Sequence, residues 1–219
     1  LARWHSPKLG DVSPYRFIPV AERIGMINRL TPPLLRKALL AAREWPEDVR
    51  LWFNLSAHDC ASDDVAREIV QVIFESGFDP RRLDLEITET AMMQDLAQVQ
   101  RAVNRLRALG CGISLDDFGT GFSSLSQLHS LAFTKIKIDR SFVTGLHENP
   151  ASYKIVKSLV ALSLDMQLEC IVEGVETRDE LDALTSLGCT LVQGYFYSKP
   201  IAPEHIDAWF SQEREGARA

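Results

Sequence analysis

The 219 residues are 46% hydrophobic and carry a formal net charge of −6, a composition suited to one globular domain with a sizeable core. That charge argues against general binding to DNA or RNA polymers or to a membrane surface, since both favour basic patches. No apolar run reaches the roughly 18 residues that a membrane span needs.

The chain opens LARWHS, without Met, and reads as a piece of a longer protein. A first strand-like run is RLWFNLS (50–56). A helical pattern follows over 62–76, where Ser62 can cap, Val65, Ile69, Val72 and Ile73 form one stripe, and Gly77 ends it. LDLEITE (83–89) is the next strand. In 95–109, Leu96, Val99, Val103, Leu106 and Leu109 line one helical face before Gly110. CGISLDD (111–117), TKIKIDR (134–140) and LECIVEG (168–174) are further strands. Thr177 and Glu180 form a capping box opening the helix 178–187, and TLVQGYFY (190–197) is the last strand. Cys60, Cys111, Cys170 and Cys189 lie in or beside apolar runs without a CxxC pair and are read as reduced thiols of a cytoplasmic protein. The histidines show no metal spacing. No low-complexity linker interrupts residues 1–219, which are read as a single domain.

Regular strand–helix alternation allows a (β/α)8 barrel or a doubly wound sheet. Alternate strand residues decide between them. Asn54, Glu86, Asp116, Lys137, Glu173 and Gln193 each fall near the end of a different strand. Their neighbours Phe53, Leu55, Leu85, Ile87, Leu115, Ile136, Ile138, Val172 and Val192 are apolar and point the other way. A polar mouth shared by six strands describes a barrel; an open sheet gathers its polar groups at one switch point.

The stretch SLDDFGTGFSS (114–124) ends a strand in two adjacent acids. Asp116 and Asp117 cannot both face the axis of a regular strand, but a turn at its end lets both serve one site. They repel unless a cation lies between them. Oxygen donors Asn54, Glu86, Asp116, Asp117 and Glu173 favour Mg²⁺ or Mn²⁺, and two such ions can share one carboxylate. The bland alternative is a set of surface acids at loop entrances. Lys137 is either a counter-ion or a group that holds an attacking water. GTGFSS (119–124) is read as a mobile loop reporting on this site.

NLS (54–56), EITET (86–90), DDFGTGFSSL (116–125), KIKIDRSF (135–142), EGVET (173–177) and QGYFYSKP (193–200), with FIPVAE at 17–22, resemble the EAL-domain cyclic di-GMP phosphodiesterases over nearly the whole chain. The resemblance implies a modified TIM barrel whose first strand runs antiparallel to the others. It implies hydrolysis of cyclic di-GMP to linear pGpG with two divalent ions, Mg²⁺ or Mn²⁺. By the same resemblance Asn54, Glu86 and Asp116 are ligands of one ion, and Asp116, Asp117 and Glu173 ligands of the second. Lys137 holds the catalytic water, and Gln193 lies at the site. Glu89 anchors the loop that couples the site to a homodimer interface. Leu1 and Arg3 belong to the EALxRW motif at the dinucleotide. The Glu of that motif would stand two residues before Leu1 and is not in the sequence; the first barrel strand and most of the second are expected to be missing likewise. Family members are commonly fused to sensory or GGDEF domains. A non-catalytic cyclic di-GMP receptor is the alternative reading, and an unrelated metal-dependent barrel lyase a more distant one.

Overall fold

The computed structural model describes residues 2–92, 95–120, 128, 130–206 and 208–210. A hairpin opens the chain, with β1 (Trp4–Ser6) antiparallel to β2 (Gly10–Val12). Gly10 takes the left-handed φ of 68° that its turn needs. The Trp4 ring packs edge-on against Phe17 at 5.8 Å, which ties the hairpin to α1 (Pro14–Arg23). Proline sits at the start of that helix, where no amide hydrogen bond is lost. The helix α2 (Ile27–Ala42) follows, with Leu35 and Leu39 fully buried.

The rest is a repeating strand–helix chain. Strand β3 (Leu51–Leu55) leads to the short α3 (Ala57–Ala61) and then α4 (Asp63–Ser76). Strand β4 (Leu83–Thr88) runs into α5 (Glu89–Met92) and α6 (Leu96–Ala108). Next come β5 (Gly112–Phe118), β6 (Lys135–Ile138), α7 (Pro150–Asp165), β7 (Glu169–Glu173), α8 (Arg178–Ser186) and β8 (Leu191–Gln193). The caps lie where the side-chain chemistry places them. Ser62 accepts from the Val65 amide, Gly77 closes α4 at φ 67°, and Thr177 and Glu180 satisfy each other's backbone at the start of α8.

Strands β3 to β8 form one six-stranded sheet in sequential order, every pair parallel. Strand order without a reversal is the wall of a barrel, whereas a doubly wound sheet reverses at its switch point. The architecture is TIM-barrel-like, with the curled parallel sheet as part of the wall. Among the described residues no antiparallel strand joins this sheet; the β1–β2 hairpin is separate.

The outer face of the sheet is the core. Leu83, Leu85, Ile87, Ile113, Leu115 and Ile136 are fully buried against Leu35 and Leu39 of α2, Ile69 and Ile73 of α4, and Val99 and Val103 of α6. A second cluster joins Ile138 and Val172 to Val156 and Val160 of α7 and Leu184 of α8. Each fully buried Leu or Ile contributes about 1.5–3 kcal/mol. Among the described residues no helix is long and apolar enough to cross a membrane.

The inner face carries charge at two levels, and the lower one was not foreseen from the sequence. Asp84 is completely buried. Its Oδ2 accepts from Arg50 Nε at 2.5 Å, and its Oδ1 lies 3.7 Å from Lys135 Nζ. Lys135 also pairs with Glu169. Gly112 makes room for this layer, since a Cβ there would stand 1.9 Å from Asp84 Oδ1. Removing one member of a buried ion pair leaves its partner uncompensated. Asp84→Ala is therefore expected to destabilise the fold by about 3 kcal/mol, the low end of the range because Glu169 still serves Lys135. Urea unfolding checks this, and a loss under about 1 kcal/mol would show the layer to be structurally idle.

Candidate metal and catalytic site

The adjacent acids at the end of β5 sit in a bulge, with Asp116 half-buried and Asp117 exposed. Leu115 pairs with Ile136, but the next pair is Phe118 with Ile138. Three steps along β5 thus match two along β6, and the extra residue bends the strand. Asp117 takes φ 56°, one of the few left-handed non-glycine positions among the described residues. Asp tolerates that conformation better than most residues. The Thr120 amide and hydroxyl close the turn on Asp117 O at 3.2 and 2.8 Å. Phe118 then returns to the core. The sequence reading anticipated a turn here; the bulge is its form.

Lys137 is the centre of the mouth. Its side chain is 5% exposed, and its Nζ lies 2.5 Å from Glu86 Oε1 and 3.1 Å from Asp116 Oδ1 and pairs with Glu173. Strand phase brings these groups together, because each sits on the inward face of its own strand in the run β4 to β7. Burial opposes the charge on Lys137, but Glu86, Asp116 and Glu173 outweigh it and hold the ammonium well above the ordinary lysine range. Burial pushes the Glu86 carboxyl up to about 7; Lys137 pulls it back, while Asp116 and Glu173 add to the rise. Glu173 is raised by burial, against Lys137 and with Asp116 and Asp117. Asp117 is raised by burial and by the charges of Asp116 and Asp139.

One lysine does not satisfy this cluster. Asp116 Oδ1 is buried and, despite its closeness to Nζ, has no hydrogen-bond partner. A crowded all-oxygen donor set with an orphaned carboxylate oxygen suits a hard divalent cation. Among the described residues no three acidic, His or Cys side chains stand as a ready ligand set; the acids turn towards the ammonium instead.

The remaining expected site residues occupy the rim. Asn54 is exposed at the end of β3, opposite Glu86 in register. Gln193 is exposed at the end of β8, opposite Glu173. Glu89 is buried at the start of α5, with Oε2 lacking a hydrogen-bond partner. Arg3 is exposed just before β1, its Nη1 donating to Ala2 O at 3.2 Å. Leu1 and residues 121–124 of the GTGFSS segment lie outside the described residues.

The EGVET and QGYFYSKP segments interlock just past the ends of β7 and β8. Val175 N donates to Gln193 O at 3.1 Å, and Phe196 N donates to Val175 O at 2.9 Å. Gly194 lets the two backbones touch, since a Cβ there would fall 2.0 Å from Val175 O. For this reason β8 stops at Gln193 rather than reaching residue 197, where the sequence reading ended it. Gly194→Ala must push the Val175 turn aside, at an expected cost of about 1–3 kcal/mol. A thermal melt indistinguishable from wild type would contradict this packing.

Three inward residues escaped the sequence reading: Asp84, Lys135 and Trp52. Asp84 and Lys135 lie two residues before Glu86 and Lys137, in the same phase. The period of two that picked out the upper pair therefore also marked the lower one. Trp52 is half-buried, with its ring centroid 5.7 Å from Lys135 Nζ and 5.9 Å from Lys137 Nζ. An apolar residue in a strand carries no sign of its own that it faces two ammonium groups.

The Glu86 environment has a consequence for stability in EDTA. The folded state keeps the Glu86 proton to about pH 7, while the unfolded chain releases it near 4.5. The folded state binds the extra proton in this window, so stability falls as pH rises through it. Glu86→Gln carries no such group. Its stability relative to wild type is expected to rise by about 3 kcal/mol between those limits. Urea unfolding of both proteins across the window tests this, and a flat difference would contradict it.

The EAL domain family matches residues 1–200. The chain is 34% identical over 209 residues to the cyclic di-GMP phosphodiesterase RocR of Pseudomonas aeruginosa, covering 94% of this chain and 53% of that protein. It is 34% identical over 212 residues to the cyclic di-GMP phosphodiesterase PA2567 of the same organism, covering 95% and 36%. Among solved structures, the PaMucR phosphodiesterase in complex with c-di-GMP superposes with a TM-score of 0.87 at 35% identity, covering 93% of this chain and 84% of that one. Other relatives are longer still, and the chain spans only 26–27% of their length.

Proposed function

Because the chain belongs to the EAL domain family, we propose that its acidic barrel mouth hydrolyses cyclic di-GMP to linear pGpG with two divalent ions, Mg²⁺ or Mn²⁺. The observation that carries this is the convergence of Glu86, Asp116 and Glu173 on one buried ammonium, with the exposed Asp117 next to Asp116 in a bulge. Asn54, Glu86 and Asp116 would hold one ion, and Asp116, Asp117 and Glu173 the other, with Asp116 shared. Bound there, the ions supply charge neutralisation at the phosphodiester and acidify the attacking water.

The chain's own groups do the rest. Lys137 donates a hydrogen bond to the attacking water and fixes its line of approach. The new bond forms between water oxygen and phosphorus as the water gives up one proton to solvent, and the bond to the 3′ oxygen breaks on the opposite side, where that oxygen takes up a proton from solvent to leave as a hydroxyl. The buried floor keeps these groups fixed, so little reorganisation is needed in the transition state. Gln193 closes the rim beside Glu173, and Arg3, with Leu1, meets the dinucleotide. Glu89 anchors the loop after Asp117 and connects the site to a homodimer contact. A cytoplasmic location suits both the nucleotide and the unpaired cysteines. Sensory or GGDEF domains in the same protein would supply the regulation.

The test is turnover of cyclic di-GMP with Mg²⁺, Mn²⁺ or EDTA. Release of pGpG that depends on metal is expected. Binding of cyclic di-GMP without turnover under either metal would replace the enzyme with a receptor.

A further inference from the structure

The ammonium of Lys137 and a divalent cation call on the same carboxylate oxygens. Nζ bonds Glu86 and Glu173 and lies 3.1 Å from Asp116, and these are three of the carboxylates proposed above to hold metal. An ion can enter only if the ammonium gives up part of that contact. A fully buried ammonium has few places to go, because leaving an anion without a compensating partner is costly.

Trp52 supplies one. Its indole lies 5.9 Å from Lys137 Nζ, within the range of a cation–π contact, and Trp is the strongest aromatic partner for an ammonium. The ring is held from below. Lys135 Nζ lies 5.7 Å from the same centroid and is itself fixed by Asp84 and Glu169. Trp52 also stands opposite Asp84 in the β3–β4 register. The floor of the barrel therefore sets the position of the indole, and the indole faces the ammonium.

We infer that Trp52 is a positioning residue, whose ring takes up the Lys137 ammonium as it withdraws from the carboxylate oxygens and so limits its competition with the metal. The inference rests on the metal site proposed above. It gives the buried ionic layer a functional link to the mouth two residues higher. It also separates Trp52 from a filler of the barrel interior, because a filler acts through volume and this role acts through the charge of Lys137.

Binding of Mg²⁺ alone, by calorimetry on the full chain, tests it with Trp52→Leu, Trp52→Phe, Lys137→Met and the double variant Trp52→Leu/Lys137→Met. Trp52→Leu is expected to weaken Mg²⁺ binding about five- to thirtyfold, the range from an exposed to a desolvated cation–π contact. Trp52→Phe keeps a π face and should lose no more than about threefold. In the Lys137→Met background, Trp52→Leu should change nothing, because no ammonium remains to position. An equal loss with and without Lys137 would make Trp52 a structural filler and overturn the inference, as would wild-type affinity in Trp52→Leu. So would the absence of Mg²⁺ binding by the wild type. If Trp52→Leu does not fold, Trp52→Met, which also lacks a π face, takes its place in the cycle with the same expected loss. Turnover in the same preparations reports on the phosphodiesterase reading separately. An inactive wild type that binds Mg²⁺ and shows the coupling keeps the role of Trp52 and removes the enzyme.

Discussion

Asp116→Asn is expected to lower turnover of cyclic di-GMP by at least about 10³-fold at saturating Mg²⁺, or about 4 kcal/mol of transition-state stabilisation. The substitution is nearly isosteric, so packing around Leu115 and Phe118 survives. What changes is the charge. Asp116 is the acid proposed to be shared between two ions, and its Oδ1 is buried without a hydrogen-bond donor. An amide there is neutral and turns either its oxygen or its NH₂ group towards the cations. Removing one negative charge from a crowded site also relieves repulsion. The melting temperature in EDTA should therefore stay level or rise while activity falls. Turnover at the wild-type rate would end the case for a shared carboxylate. Asp117→Asn is the paired experiment. Asn accepts the left-handed φ of 56° as readily as Asp, so it isolates the charge, whereas Asp117→Ala would add about 1 kcal/mol or more of backbone strain.

The upper half of this site was legible in the sequence because two periodicities agreed. Leu85, Ile87, Leu115 and Ile136 recur every second residue and belong to the helix-facing core. Fixing that phase leaves Glu86, Asp116 and Lys137 on the inner face without further information. The helix ends were legible for a different reason. Ser62, Thr177 and Gly77 each perform a local job, a cap or a left-handed stop, that depends little on distant contacts.

What was not legible depends on pairing between strands. The bulge at Asp116–Asp117 exists only relative to β6, since one strand cannot show that it carries an extra residue. The length of β8 is set by the backbone of Val175, eighteen residues earlier, and the apolar run through residue 197 hides that limit. Phase alone marked the buried floor, without showing that it is buried. Asp84 and Lys135 read as ordinary surface charges until Arg50, Glu169 and Gly112 are seen around them. Motif resemblance marked the mouth but not Trp52, whose relevance comes from two ammonium groups on a different strand.

Lys137→Met should fall at least as far in activity, about 10³-fold or more, but with the opposite signature in stability. The ammonium is the positive charge that the structure places among Glu86, Asp116 and Glu173. Methionine fills much of its volume and none of its charge. In EDTA the acids then face one another uncompensated, and breaking a buried pair from one side costs about 3–5 kcal/mol. At neutral pH one acid takes up a proton to limit that cost, the direction in which burial already drives Glu86. A divalent cation meets no competitor in this variant. Mg²⁺ should bind it more tightly than wild type, and stabilisation grows as RT ln(1 + [L]/Kd). The expected result is a variant that melts below wild type in EDTA, gains more than wild type from Mg²⁺, and stays inactive when loaded. Equal gains in the two proteins would mean that lysine and metal do not share the same oxygens. Recovered turnover in the loaded variant would show that the cations alone suffice to hold the water and that Lys137 serves only as a counter-ion.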